Sequence, residues 1–279
     1  MNFTVQEYRP MPALAPFIEC FWQGTFNISA EKESWFHMVP NGCMELIIHL
    51  DDLHCTLPQG TEWNATPDYM LIGLSTCTKP IRFTGTVPVF TIRFKPEALM
   101  RLFQLPGTAF YERFEDMSLV LDKDFESFCN HLREQLSVKD RIAKAERYLL
   151  QRLNRQKRGL EYVEKAANLI RTAHDMAIED IAENVCISKR QLERKFREAV
   201  GVSPKQYLRL SRINRVMRLL AQKQTLDLSS VAYYCGYFDQ AHFIKDFKRI
   251  TGQKPTLFHR ERQQYIVLPG QVNMKSNEY

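Results

Sequence analysis

One relation within the chain constrains its fold more than any single motif: a stretch near the C-terminus repeats its own skeleton. Shifted by 51 residues, Ser188 falls on Asp239, Leu192 on Phe243, Phe196 on Phe247, Gly201 on Gly252 and Pro204 on Pro255. Five matched positions in one register predict two segments that fold alike. Further upstream the offset drops to 50, with Ile181-Ala182 falling on Val231-Ala232. The second copy therefore carries one extra residue in its turn.

Each copy reads as a helix, a tight turn and a second helix. In the first, Ile178, Ile181, Ala182 and Val185 share one helical face. Cys186 and Ile187 make the turn. Ser188 has the chemistry of an N-cap, and Gln191 three residues on completes a capping-box pattern. Leu192, Phe196 and Ala199 bury one face, and Gly201 ends the helix where a left-handed conformation costs glycine little. In the second copy Leu228, Val231, Ala232 and Cys235 form the first inner face. Gly236 opens the turn, Asp239 is the N-cap, Phe243, Phe247 and Ile250 are buried, and Gly252 closes the helix.

What these assignments leave over is largely basic. The first long helix keeps Lys189, Arg190, Glu193, Arg194 and Arg197; the second keeps Gln240, Ala241, Ile244, Lys245 and Lys248. A helix roughly 10–12 Å across fits the DNA major groove. There Arg pairs bidentately with guanine, Gln with adenine, and Glu accepts from cytosine. The bland alternative is a solvated cationic face, and for Glu193 an i,i+4 pair with Arg197. "PKQYLRLSRINRVMRLL" (Pro204–Leu220) reads as one helix joining the copies. Its 17 residues span roughly 25 Å. With helix widths added, the two reading helices can sit near one DNA turn apart, about 34 Å. Each copy alone binds weakly, and the bridge makes the second contact intramolecular.

The charge distribution agrees. The net charge is +6, but from Arg158 to Arg262 there are 20 Lys and Arg against 12 Asp and Glu, while the remainder has 18 against 20. A basic part joined to a near-neutral one predicts a polyanionic partner for the basic part alone.

The chain's 279 residues predict about two domains. Residues 1 to about 120 read mainly as β, in short runs such as "CMELIIHL", "YMLIGL" and "VPVFTIRF" separated by turn-forming stretches. Strands this short and frequent predict a small barrel or sandwich. "KPEALMRLFQL" (Lys95–Leu105) reads as a helix. From about Asp122 the period becomes helical, through Phe125, Phe128, Cys129, Leu132 and Leu136 to Ala145, Tyr148 and Leu149; this stretch either mediates dimerisation or covers the barrel. "RQKRG" (Arg155–Gly159) is the linker candidate. The expected fold is α+β: a β-rich, barrel-like regulatory domain with trailing helices at 1–155, an all-α domain of two helix-turn-helix units at 160–262, and a disordered tail at 263–279.

No run of 18 or more apolar residues exists, and "MNFTVQEYRPMPALAPF" does not read as a signal peptide, so a cytoplasmic location is expected. Seven cysteines at wide spacings, with no CxxC, read for the most part as buried thiols in a reducing compartment. His37, Cys43, His49, His54 and Cys55 lack metal-ligand spacing beyond the local His54-Cys55 pair. The aromatics Phe21, Trp22, Phe26, Trp35, Phe36 and Trp63 either line a ligand pocket or build the core. There is no Gly-rich phosphate loop, G-x-S-x-G elbow or HExxH.

The stretches "DIAENVCISKRQLERKFREAVGVSPKQYLRLSRINR" and "VAYYCGYFDQAHFIKDFKRITGQKP" resemble the C-terminal DNA-binding domain of the AraC/XylS family of bacterial transcription regulators. The resemblance covers residues 160–262 and implies base contacts from Arg190, Glu193, Arg194, Gln240, Ala241 and Lys245. Lys189, Lys195, Arg197, His242, Lys248 and Arg249 are the phosphate-contact candidates. Two departures stand out. Cys186 sits where the first turn often has glycine, and the small Ala241 sits at a reading position. The second helix is therefore expected to read fewer bases. The N-terminal half is similar to a poorly characterised sensor-like domain found in such regulators. The expected partners are double-stranded DNA, a small-molecule effector of unstated identity, a second copy of the chain, and RNA polymerase in the case of an activator. No cofactor, membrane contact or catalysis is expected. The alternative is an N-terminal domain that is a small-molecule enzyme or binds only protein.

Overall fold

Every side chain from Met44 to His49 is buried, so this strand has no solvent face. That requires a sheet covered on both sides, and the architecture supplies one. The computed structural model describes residues 2–28, 34–155, 159–173, 176–222, 228–260 and 265–266. The strands are β1 (Asn2–Tyr8), β2 (Ile18–Asn27), β3 (Ser34–Met38), β4 (Met44–His49), β5 (Thr56–Gln59), β6 (Glu62–Ala65), β7 (Tyr69–Ile72), β8 (Lys79–Phe83) and β9 (Thr86–Phe94). Then come α1 (Ala98–Phe103), β10 (Phe114–Asp116), α2 (Met117–Val120), α3 (Lys123–Glu134) and α4 (Val138–Arg155). The helical part comprises α5 (Glu161–Thr172), α6 (Ile178–Asn184), α7 (Lys189–Val200), α8 (Pro204–Gln222), α9 (Leu228–Tyr234), α10 (Gln240–Thr251) and α11 (Pro255–Arg260), followed by β11 (Tyr265–Ile266).

Two sheets form an open, barrel-like sandwich: six strands ordered β1-β2-β9-β4-β7-β10 and five ordered β11-β3-β8-β5-β6. Strand period decides which residue faces which layer. Along β2, Trp22 and Phe26 point between the sheets with Phe36, Phe83 and Val87, while Phe21 points the other way with Phe90 and Ile92. The aromatic cluster is therefore mostly core: Phe21, Trp22, Phe26 and Phe36 are buried. Trp35 is exposed, and Trp63 lies beneath the Arg82 guanidinium at 4.1 Å.

The outer face of the six-stranded sheet carries the helices. Phe125, Phe128, Cys129 and Leu132 of α3 and Ala145 and Leu149 of α4 join the same apolar cluster as Phe90 and Ile92. The helical stretch thus covers the sheet, but Leu136, expected on its inner face, stands fully exposed between α3 and α4. Helix α1 is shorter than the Lys95–Leu105 span: Lys95 N–H still donates to Phe17 at 2.8 Å, and Gln104 ends the helix at φ 58°.

One apolar cluster runs on without a break into the helical part, through Val163, Ile170, Leu192, Phe196, Ile213, Phe243 and Phe247. Two close contacts tie the halves together. Gly107 lies against the backbone of Ala199, Val200 and Gly201 at the end of α7. Thr78 N–H donates to Ile250 O of α10 at 3.0 Å. The linker residues 156–158 lie outside the described residues, as does the expected tail save Tyr265 and Ile266. Those two depart from the tail expectation: both are buried, and they pair in parallel with His37 and Met38 of β3. Both side chains are largely apolar, and the Tyr265 ring packs at a tilt on Phe258 with centroids 4.3 Å apart, which outweighs the polar sequence surroundings.

Candidate nucleic-acid interface

The two repeats are built alike down to their turns. After α6, Cys186 N–H donates to Glu183 O at 3.0 Å and Ile187 N–H to Ala182 O at 3.1 Å. After α9, Gly236 N–H donates to Tyr233 O and Tyr237 N–H to Ala232 O, each at 3.0 Å. Cys186 and Gly236 both hold left-handed backbone, at φ 57° and 75°. The two turns then diverge by the extra residue, which is Phe238, 97% exposed and directly before the N-cap.

Both long helices start and stop as their caps dictate. Ser188 and Gln191 form a complete capping box on α7, and Asp239 accepts from His242 N–H at 2.7 Å on α10. Gly201 and Gly252 end them in left-handed conformation. Leu192, Phe196 and Ala199 anchor α7; Phe243, Phe247 and Ile250 anchor α10. Helix α8 links the units, and two of its arginines meet partners within the domain: Arg209 reaches Asp246 at 3.7 Å, and Arg212 lies over Tyr237 at 5.7 Å.

On the outer face of α7, Arg190, Glu193, Arg194 and Arg197 are exposed at spacings of three, four and seven, which is one helical stripe. None makes an ion pair among the described residues, including Glu193 with Arg197. On α10, Gln240, Ala241, Lys245, Lys248 and Arg249 are exposed, while Ile244 is half-buried against the core. Gln240 accepts from Ser229 Oγ at 3.4 Å.

Three of the phosphate-contact candidates already have protein partners. Lys189 Nζ lies 2.6 Å from Glu179 of α6, and that hydrogen bond raises the lysine pKa. Lys195 pairs with Glu198 at 3.2 Å. His242 lies 3.5 Å from Asp246. Arg197, Lys248 and Arg249 make no ion pair among the described residues. The sequence reading did not single out Phe238, Tyr233 or Tyr234, all exposed beside the start of α10. The signal was present: with Leu228, Val231, Ala232 and Cys235 assigned inward, the two tyrosines have only the outer face.

This is the architecture of a double helix-turn-helix protein. Residues 181–261 match the family described as a helix-turn-helix domain, and residues 6–116 match a domain of unknown function (DUF6597). The HTH-type transcriptional regulator ArgR of Pseudomonas aeruginosa is 30% identical over 88 residues, 32% of this chain and 26% of that protein. The lactose operon transcription activator of Staphylococcus xylosus is 32% identical over 91 residues, 32% of each chain. The chain thus spans about a quarter to a third of the length of these relatives. ToxT of Vibrio cholerae is a structural neighbour at 11% identity and a TM-score of 0.47, over 85% of this chain and 97% of that one. The C-terminal part of the chain carries a helix-turn-helix domain and is similar there to these transcription regulators.

Proposed function

We propose that this protein is a cytoplasmic, sequence-specific DNA-binding transcription regulator that places α7 and α10 in successive major-groove segments. The observation that carries this reading is the pair of capped helices with unpaired basic outer faces, joined by α8. Residues 160–262 form the DNA-binding domain, and residues 1–155 form a regulatory domain that senses a signal or brings two copies together. Arg190, Glu193 and Arg194 read bases from α7; Gln240, Ala241 and Lys245 do so from α10. Arg197, Lys248 and Arg249 hold phosphates, and Lys189, Lys195 and His242 join them by exchanging their protein partners for DNA. RNA polymerase is a partner if the protein activates. The shared apolar core and the contacts of Gly107 and Thr78 with the ends of α7 and α10 favour a regulatory N-terminal half over an independent enzyme.

Competition binding on a duplex selected from a random pool tests this. With about six phosphates neutralised, log K against log salt should have a slope of roughly −5. Arg194→Ala should cost about 1–3 kcal/mol and relax discrimination at one base position. Equal affinity for all duplexes, or a flat salt response, contradicts the proposal.

A further inference from the structure

A cleft of about 270 Å³ opens where the sheet-rich half meets the helical half, a volume at the small end for ligand sites. One wall comes from the sheet side, with Glu19, Arg93 and Lys95. The other comes from α5 and α8, with Arg171, Tyr207 and Arg218. Four cations thus line it against one carboxylate, Glu19.

The four cations differ in how they are satisfied. Arg93 is ion-paired, to Glu45 at 2.9 Å and to Glu7 at 3.0 Å. Arg171 grips Glu97 with both Nη atoms, at 2.6 and 3.1 Å, and donates to Tyr207 Oη at 3.0 Å. These two are structural: they brace the wall and fix Tyr207, which is buried. Lys95 and Arg218 are different, since neither makes an ion pair among the described residues. Lys95 Nζ donates to the Ala15 carbonyl at 2.7 Å. Burial, and then the nearby Arg171 guanidinium, hold its pKa below the ordinary lysine value. Its ammonium thus sits where an added negative charge is favourable.

We propose that this cleft binds a small organic oxyanion, a carboxylate or a phosphate, between Lys95 and Arg218. At the half-buried Lys95 end of the cleft such a charge-assisted contact is stronger than in water. The occupant touches both halves at once. It bears on α8, the helix that sets the separation of α7 and α10. This inference deepens the sensing role proposed above and rests on it for its regulatory consequence; the binding itself does not depend on DNA.

The test uses the full chain without DNA, at ionic strength held constant with NaCl. Thermal melting and titration calorimetry are run with malonate, succinate, inorganic phosphate and glycerol 3-phosphate, and with succinamide and glycerol as neutral controls. At least one oxyanion is expected to give a saturable rise in Tm and a one-to-one isotherm, and its class identifies the ligand as carboxylate or phosphate. Lys95→Met and Arg218→Gln should each weaken Kd at least tenfold, while Lys139→Gln, an exposed cation on α4, should leave it unchanged. Arg218 is itself exposed, so its variant reports even if Lys95→Met fails to fold. The proposal is overturned if no oxyanion exceeds the neutral controls, or if binding survives Arg218→Gln. DNA affinity is measured separately, so either reading can fail while the other stands.

Discussion

Cys186 holds left-handed backbone at φ 57°, a region that costs a residue with a Cβ roughly 1–2 kcal/mol. Its counterpart in the second repeat is Gly236, which meets the same demand at little cost. The sequence comparison marks the oddity, a cysteine where such a turn often has glycine, and the backbone supplies the physical reason. Cys186→Gly should therefore stabilise the protein by about 0.5–1 kcal/mol, the relieved strain less glycine's greater loss of entropy on folding. An upward shift of the urea midpoint at unchanged slope checks this, and a lower midpoint contradicts it. The same scale shows what spacing cannot reveal. Lys195 and Glu198 are three residues apart on one helix, so their pairing is readable from sequence. Lys189 meets Glu179 across a turn, which depends on how α6 and α7 cross.

Helices α7 and α10 were the most legible elements, because caps and buried positions are local patterns that both copies share. The expectation that α10 is the poorer reader rests on Ala241, which offers only a methyl; in the fold Ile244 is half-buried against the core. The extra residue of the second turn was countable from the offset; that Phe238 stands almost wholly exposed was not. Least legible was how the ends of these helices are held. An added Cβ on Gly107 would lie 2.5 Å from Val200 C and 2.6 Å from Gly201 N, backbone atoms that cannot rotate away. Gly107→Ala should therefore cost about 1–3 kcal/mol, where an unhindered site would gain from the same change. Urea unfolding measures this, and an unchanged midpoint would mean the two halves do not pack as described.

At the scale of the whole molecule, the β-rich and helical parts were both readable from the change of period near Asp122. Their union was not. Arg171 and Glu97 are 74 residues apart, and no pattern in either segment announces the pair. The buried strand β4 carries Glu45 and His49 beside Met44, Leu46, Ile47 and Ile48, so its sequence tells neither of burial on two faces nor of which layers cover them. Within the sandwich, His49 stacks on His54 at 4.2 Å and contacts Thr66 Oγ1 at 3.3 Å. Burial, with the nearby His54 adding to it, lowers the His49 pKa from 6.5 to about 4. Between those values the unfolded chain takes up a proton that the folded one refuses, so this contribution is present above 6.5 and is lost as pH falls toward 4. His49→Gln removes that term. The gap in Tm between the protein and its variant should therefore narrow from pH 7 to pH 5, and a constant gap contradicts the assignment.

The central claim is that one chain reads two major-groove segments. Missing-base interference on the selected duplex tests it most directly, because it reports each base whose loss weakens binding. The account predicts two clusters on one face, centred about 10–10.5 base pairs apart. Arg190→Ala and Arg194→Ala together should erase one cluster, and Gln240→Ala with Lys245→Ala the other, weaker one. A single cluster that is indifferent to the α10 substitutions would contradict it.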